Sequence, residues 1–170
     1  MKEISPDQAI GYKYPEWIIL VVARDGSGKA NLMPAGWGMV CSGNPLKVCV
    51  AIGHGRYTHT CIEETGEFVF AWAGEDQADL VTYSGSCSGA DRDKFAEFDI
   101  PTAEPSVIDV PLLTEAAVNL ECRASAAHIA GDHTIFVGEV VAGHVPDQPL
   151  RTLMNFKGTF VPAKPIAEGE

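Results

Sequence analysis

Residues 116–130, AAVNLECRASAAHIA, and 132–145, DHTIFVGEVVAGHV, are two strand-type runs meeting at Gly131-Asp132. That spacing predicts a long antiparallel hairpin. The remaining strand signals surround it. WIILVVARDGSGKANL reads as strand, turn, strand, with Asp25-Gly26 and Gly28 supplying the turn. KVCVAIG, residues 47–53, and EFVFAWA, residues 67–73, are rich in residues that suit a pleated, half-buried surface. NFKGTFVP, residues 155–162, gives a last strand.

Helices are few and short. THTCIEETG, residues 58–66, opens on a cap-type Thr and stops at Gly66. GEDQADLVTYS, residues 74–84, carries acidic residues in its first turn, and GADRDKFAEF, residues 89–98, gives a third helix. Six or more strands with small helices between them predict a mainly β fold, a β-barrel with short helices. Residues 99–113 hold three prolines and read as an extended loop. The expectation is one domain over residues 1–170, with an acidic, partly disordered tail after 162.

Charge narrows the function. A formal net charge of −11 argues against nucleic acid, whose phosphates demand a basic footprint, and against an anionic membrane surface. WIILVVA is far too short to span a bilayer, and Glu3, Asp7 and Glu16 are unlike the start of a signal peptide. A cytoplasmic protein is expected. Five cysteines, an odd number with no CxxC pair, point to reduced, mostly buried thiols and not to disulfides or structural zinc.

Several motifs fail on inspection. RDGSGKA looks like a phosphate loop, but Ala30 stands where a P-loop needs Ser or Thr, so a tight turn is expected. GHGRYT, residues 53–58, lacks the third glycine and the βαβ setting of a dinucleotide fingerprint. No HExxH occurs and the five histidines are scattered, so no metal site is expected.

Four segments, in order, each join polar residues to a strand or short helix: NLMPAGW, CSGNPLKVCVAIGHGRYTHTCIEETGEFVF, SGSCSGADRDKF and GDHTIFVGEV. Together they resemble the flavin-reductase-like family, nearest its flavoredoxin branch, over residues 10–162. The resemblance implies an FMN-binding split barrel, a homodimer with FMN near the subunit interface, and redox chemistry with NAD(P)H or a protein donor. One departure is Leu46, which follows Pro45 where many relatives have a second proline.

Residue chemistry fits that expectation. Arg56 offers bidentate geometry to a phosphate, and Thr58 opens a helix whose N-terminus favours anions. Lys94 alone reads as a surface lysine paired with Asp91 or Asp93. Its place in an S-G-x-x-x-D-K-F pattern similar to the family's implies a second phosphate or ribityl contact. His133 could merely satisfy a turn. The resemblance implies a place beside the flavin, where an imidazole could steady developing charge or relay a proton.

Reduced flavin needs hydrogen-bond donors near N1. Asn31 and the backbone N–H groups from Leu32 to Trp37 are the candidates, with Trp37 as packing surface and Met33 either beside it or in the core. Ser42 either reaches the ribityl or phosphate group or caps its own S-x-N-P turn. Tyr57 and His59 flank the phosphate candidates without an assignment.

The resulting expectation is a redox protein that passes electrons from NAD(P)H or a protein donor through bound FMN to an acceptor. It is either an NAD(P)H-dependent flavin oxidoreductase or an electron carrier of the flavoredoxin type. The −11 charge leans toward the carrier, because an acidic face can steer a basic partner. A small-ligand or haem-binding split barrel without redox turnover is the alternative.

Overall fold

The run from Ile18 to Ala23 is apolar on both faces and buried throughout. A strand with that pattern must sit between two cores, because alternate side chains point to opposite faces. The computed structural model, which describes residues 1–164, shows this arrangement. Ile19, Val21 and Ala23 join Val50, Phe68, Phe70 and Phe136 in one core. Leu20 and Val22 join Val69, Leu80, Leu113 and Leu153 in the other.

In chain order the elements are α1 (Pro6–Ile10), β1 (Glu16–Trp17), β2 (Ile19–Arg24), β3 (Ala30–Ala35), β4 (Gly38–Gly43), β5 (Leu46–Gly53), α2 (Tyr57–Thr65) and β6 (Glu67–Trp72). There follow α3 (Ala78–Ser86), α4 (Lys94–Glu97), β7 (Thr102–Ala103), β8 (Leu112–Leu113), β9 (Val118–Ala130), β10 (His133–His144), β11 (Leu153–Phe156) and β12 (Thr159–Pro162). The main sheet has seven strands in the order β3-β2-β6-β9-β10-β5-β4, and every pairing in it is antiparallel. It is a mainly β fold, as expected, with short helices between the strands.

The expected hairpin is the spine of the sheet. β9 and β10 pair from His133–Ala130 to His144–Asn119, turning through Gly131 at φ 64°. Two interruptions of register bend it, between Val137 and Gly138 and between Val140 and Ala142.

β3 and β4 follow one another in the chain yet lie at opposite edges of the sheet. Gly36 and Trp37 carry the chain across. Gly38 has to be glycine, because a Cβ there would lie 2.6 Å from Ile19 Cδ1 and 2.9 Å from the Cys49 carbonyl oxygen. Pro34 fits in β3 because β3 is an edge strand, where a missing N–H breaks no ladder.

Some expectations need correcting. Residues 155–162 hold parts of two strands, since Lys157 and Gly158 both adopt positive φ and reverse the chain between β11 and β12. The strand expected to end at Leu32 runs on to Ala35 as β3, and a further edge strand, β4, follows after Gly36 and Trp37. The predicted helix at 89–98 shrinks to α4, whose start is fixed by Asp93 Oδ1 accepting from Ala96 N–H. The proline-bearing loop carries the short pair β7–β8. The acidic tail lies outside the described residues from 165 onward.

Glu121 on β9 is fully buried. Its carboxylate accepts from the backbone N–H groups of Ser106, Val107 and Ile108 and meets His144 Nε2 at 2.6 Å. It thereby pins the proline-bearing loop onto the sheet. Burial pushes its pKa up, but these bonds outweigh burial and hold the carboxyl below its usual value. A folded value below the unfolded one gives stabilisation that is complete above about pH 4.3 and is lost as pH falls through the folded value. We expect Glu121→Gln to lower unfolding free energy by about 3 kcal/mol near neutrality. The gap should narrow in acid, as measured by urea unfolding at both pH values.

Candidate functional site

A cleft of about 400 Å³ opens at the seam where the chain crosses from β3 to β4. One wall is β3 with Gly36 and Trp37. The opposite wall is the end of β5, the first turn of α2, and His133 at the start of β10. Residues 84–89, the last turn of α3 and the start of the loop after it, close the remaining side.

The cleft's charge is opposite to that of the chain. Among the described residues no aspartate or glutamate lines it, while Arg56 and Lys94 both do. In a protein of net charge −11 the cleft is thus a local concentration of positive charge. Arg56 stands at the N-cap of α2 in extended conformation (φ −90°, ψ 132°). No side chain caps that helix, so its first turn offers N–H groups to the cleft. Arg56 makes no ion pair among the described residues.

Lys94 departs from its surface reading. It is 3% exposed, and its ammonium pairs with neither Asp91 nor Asp93. Instead Nζ donates to the Leu32 carbonyl at 2.8 Å and the Ser84 carbonyl at 2.6 Å. An ammonium has three donors, so one is left for a ligand. Burial, with Arg56 nearby, lowers its pKa, while Cys87 opposes the shift.

Asn31 is 2% exposed, and its Nδ2 donates to Thr58 Oγ1 at 2.8 Å. Its Oδ1 is buried with no hydrogen-bond partner. A buried acceptor left unpaired costs about 1–3 kcal/mol. The amide turned over would leave Nδ2 as the open group, with Thr58 donating to Oδ1. Gly89 lies against this amide, and a Cβ there would be 2.0 Å from Oδ1.

At the other end, His133 Nδ1 meets Asp132 Oδ1 at 2.6 Å. That contact holds the Asp132 carboxyl below its usual range. It also sets the imidazole tautomer, with Nδ1–H toward Asp132 and Nε2 left free. The His133 ring lies 4.9 Å from Trp37, tilted by 36°. Trp37 is 53% exposed, a large apolar surface at the mouth, and Met33 lines the wall behind it.

Seven of the nine expected residues therefore line one cleft: Asn31, Met33, Trp37, Arg56, Thr58, Lys94 and His133. Two do not. The Leu32 side chain is in the core, and only its carbonyl reaches the site, through Lys94. Ser42 donates to the Pro45 carbonyl at 2.7 Å, the turn-capping alternative, and does not line the cleft. Of the unassigned pair, Tyr57 lines the cleft while its hydroxyl donates to Asp25. That bond pushes the phenol up to about 12. His59 faces away, bound to Thr134 and Glu63. The run SGSCSG, residues 84–89, was part of a motif in sequence, but none of its residues was named for the site.

The pattern that defines the Flavin reductase like domain matches residues 11–164. An NADH:riboflavin 5′-phosphate oxidoreductase from Streptomyces pristinaespiralis is 30% identical over 84% of this chain and 78% of its own. The FMN-binding protein of Thermus thermophilus, solved with 1-cyclohex-2-enone, is similar with TM-score 0.84 and 28% identity, over 98% of this chain and 97% of that one. A flavoredoxin from Methanosarcina acetivorans shares the fold with TM-score 0.87 at 24% identity, over 99% and 94% of the two chains.

Gly89→Ala is expected to displace the Asn31 amide and lower stability by about 2 kcal/mol. Urea unfolding measures the loss, and the Asn31 side-chain amide resonances report the displacement.

Proposed function

The chain belongs to the flavin-reductase-like family, and on that premise we propose that it binds FMN in the β3–β4 cleft and passes electrons from NAD(P)H through it to an acceptor. The observation that carries this reading is a cleft lined, among the described residues, by no carboxylate but by two cations and an uncapped helix start, in a chain of net charge −11. The donor set fits FMN. Arg56, the first turn of α2 and the free donor of Lys94 would hold the phosphate. Asn31 would give its unsatisfied amide to the cofactor's polar edge, and Met33 and Trp37 would pack against its flat ring.

Bound FMN supplies the hydride and electron chemistry. The chain's task is binding and orientation. Asn31 is held by Thr58, so its amide presents one fixed edge. His133 is held by Asp132, which leaves Nε2 able to take or give a proton at the cleft. Trp37 and Met33 keep water from one side of the site.

NADH is the favoured donor class because a relative 30% identical carries that activity in its name. The proposal extends to one domain, a homodimer and a cytoplasmic location. An exposed edge strand with Met39 and Val40 outward supports a second copy covering β4. Among the described residues no helix is long and apolar enough to cross a membrane.

Purified protein mixed with FMN should give a flavin spectrum with quenched fluorescence, and anaerobic NADH or NADPH should bleach it. Bleaching only by a reduced protein donor would make it a carrier, and a haem spectrum without flavin uptake would sink the reading. Arg56→Ala is expected to weaken FMN by about 1–3 kcal/mol. Riboflavin, which lacks the phosphate, should lose far less. Equal FMN affinity in the variant and the native chain would remove Arg56 from the phosphate site.

A further inference from the structure

The turn that imitates a phosphate loop, residues 24–30, does not line the cleft. It is nevertheless bonded to two of the cleft's walls. Asp25 Oδ1 accepts from the N–H and hydroxyl of Ser27 and from the N–H of Lys29, which makes the turn rigid. Asp25 Oδ2 accepts from the Tyr57 hydroxyl, and Gly26 N–H donates to Glu64 Oε2 at 2.7 Å, so the turn is fastened to α2. Lys29 reaches the other way. Its Nζ donates to the Gly89 carbonyl at 2.6 Å, at the end of the small-residue loop. Lys29 makes no ion pair among the described residues.

Resting on the FMN reading, we propose that Lys29 is a positioning residue for the phosphate end of the site, acting through the loop of residues 84–89. That loop leaves the C-terminus of α3, where carbonyl oxygens carry the negative end of the helix dipole and would repel a phosphate. Lys94 takes one of those oxygens, and Lys29 takes a carbonyl beyond the helix end. Lys94 holds the Ser84 carbonyl at the start of the loop, and Lys29 holds the Gly89 carbonyl at its end. Gly89 in turn lies against the Asn31 amide. With both ends tied, the small residues between them keep one shape, and no carbonyl at either end is free to face the anion.

Lys94 also lines the cleft and touches ligand in this reading. Lys29 does not, and its effect is therefore indirect. Losing it frees the end of the loop, which speeds release of the phosphate-bearing cofactor.

The test uses the full chain with Lys29→Met and Lys29→Arg, and FMN and riboflavin as probes in stopped-flow release. Lys29→Met is expected to release FMN about tenfold faster, the scale of one charged hydrogen bond. Riboflavin release should stay close to native, and Lys29→Arg, which keeps charge and donors, should recover most of the loss. The effect should persist at about 1 M salt, where the Debye length is about 3 Å and a merely lost distant charge would no longer register. Unchanged FMN release, equal loss for both flavins, or disappearance at high salt would each overturn the proposal.

Amide hydrogen exchange on the flavin-free chain tests the tie independently. Lys29→Met should speed exchange at residues 85–89 and leave β9 and β10 as they were. Unaltered exchange at 85–89 overturns the tie, whereas a native chain that takes up no FMN overturns the cofactor reading instead.

Discussion

Everything at the site depends on one topological constraint. Two strands consecutive in the chain are placed at opposite edges of a seven-stranded sheet, so no hydrogen-bond ladder can close the gap between them. Edge strands expose backbone donors and acceptors that must be answered. At this seam Lys94, from the start of α4, answers the Leu32 carbonyl on β3. Thr58, from α2, holds the Asn31 side chain in place by accepting from its Nδ2. The groups that repair an incomplete barrel are also the groups that give the cleft its chemistry.

Electrostatics follows from that repair. A buried ammonium is costly unless it is hydrogen-bonded, and Lys94 is bonded twice. Its charge remains in a pocket where, among the described residues, no carboxylate cancels it, next to Arg56 and an uncapped helix. The chain's carboxylates are spent elsewhere. Glu121 pins the 99–113 loop, Asp25 shapes the β2–β3 turn, and Glu75 pairs with Arg151. The local field can therefore be positive while the whole molecule is strongly negative, and an acidic surface and an anion site do not conflict.

Much of this was legible in sequence because it rests on short-range signals. The β9–β10 hairpin is written in two long runs meeting at Gly131, and α2 in the stretch that ends at Gly66 with φ 70°. The start of α2 was readable to within a residue, but the N-cap position falls to Arg56 and Thr58, expected as a cap, lies inside the helix. What escaped was whatever depends on long-range packing. Lys94 looked solvent-exposed because its neighbours in sequence are acidic, but its partners lie 62 and 10 residues away. The β11–β12 turn was missed because Lys157 occupies a positive φ that sequence would assign to a glycine or asparagine. Ser42 could not be separated from its turn-capping role by type alone, since a serine hydroxyl suits either partner.

The crossing at Gly36 and Trp37 also acts as a covalent ruler. The spacing of the two walls is set by how few residues join β3 to β4, and not only by how well the walls pack. A single inserted residue there would add up to about 3.3 Å of reach. The grip on a bound ring would change in one step, with both strands and both cores left intact. Variation that retunes which flat molecule is held therefore has a short target in this chain, one linker two residues long.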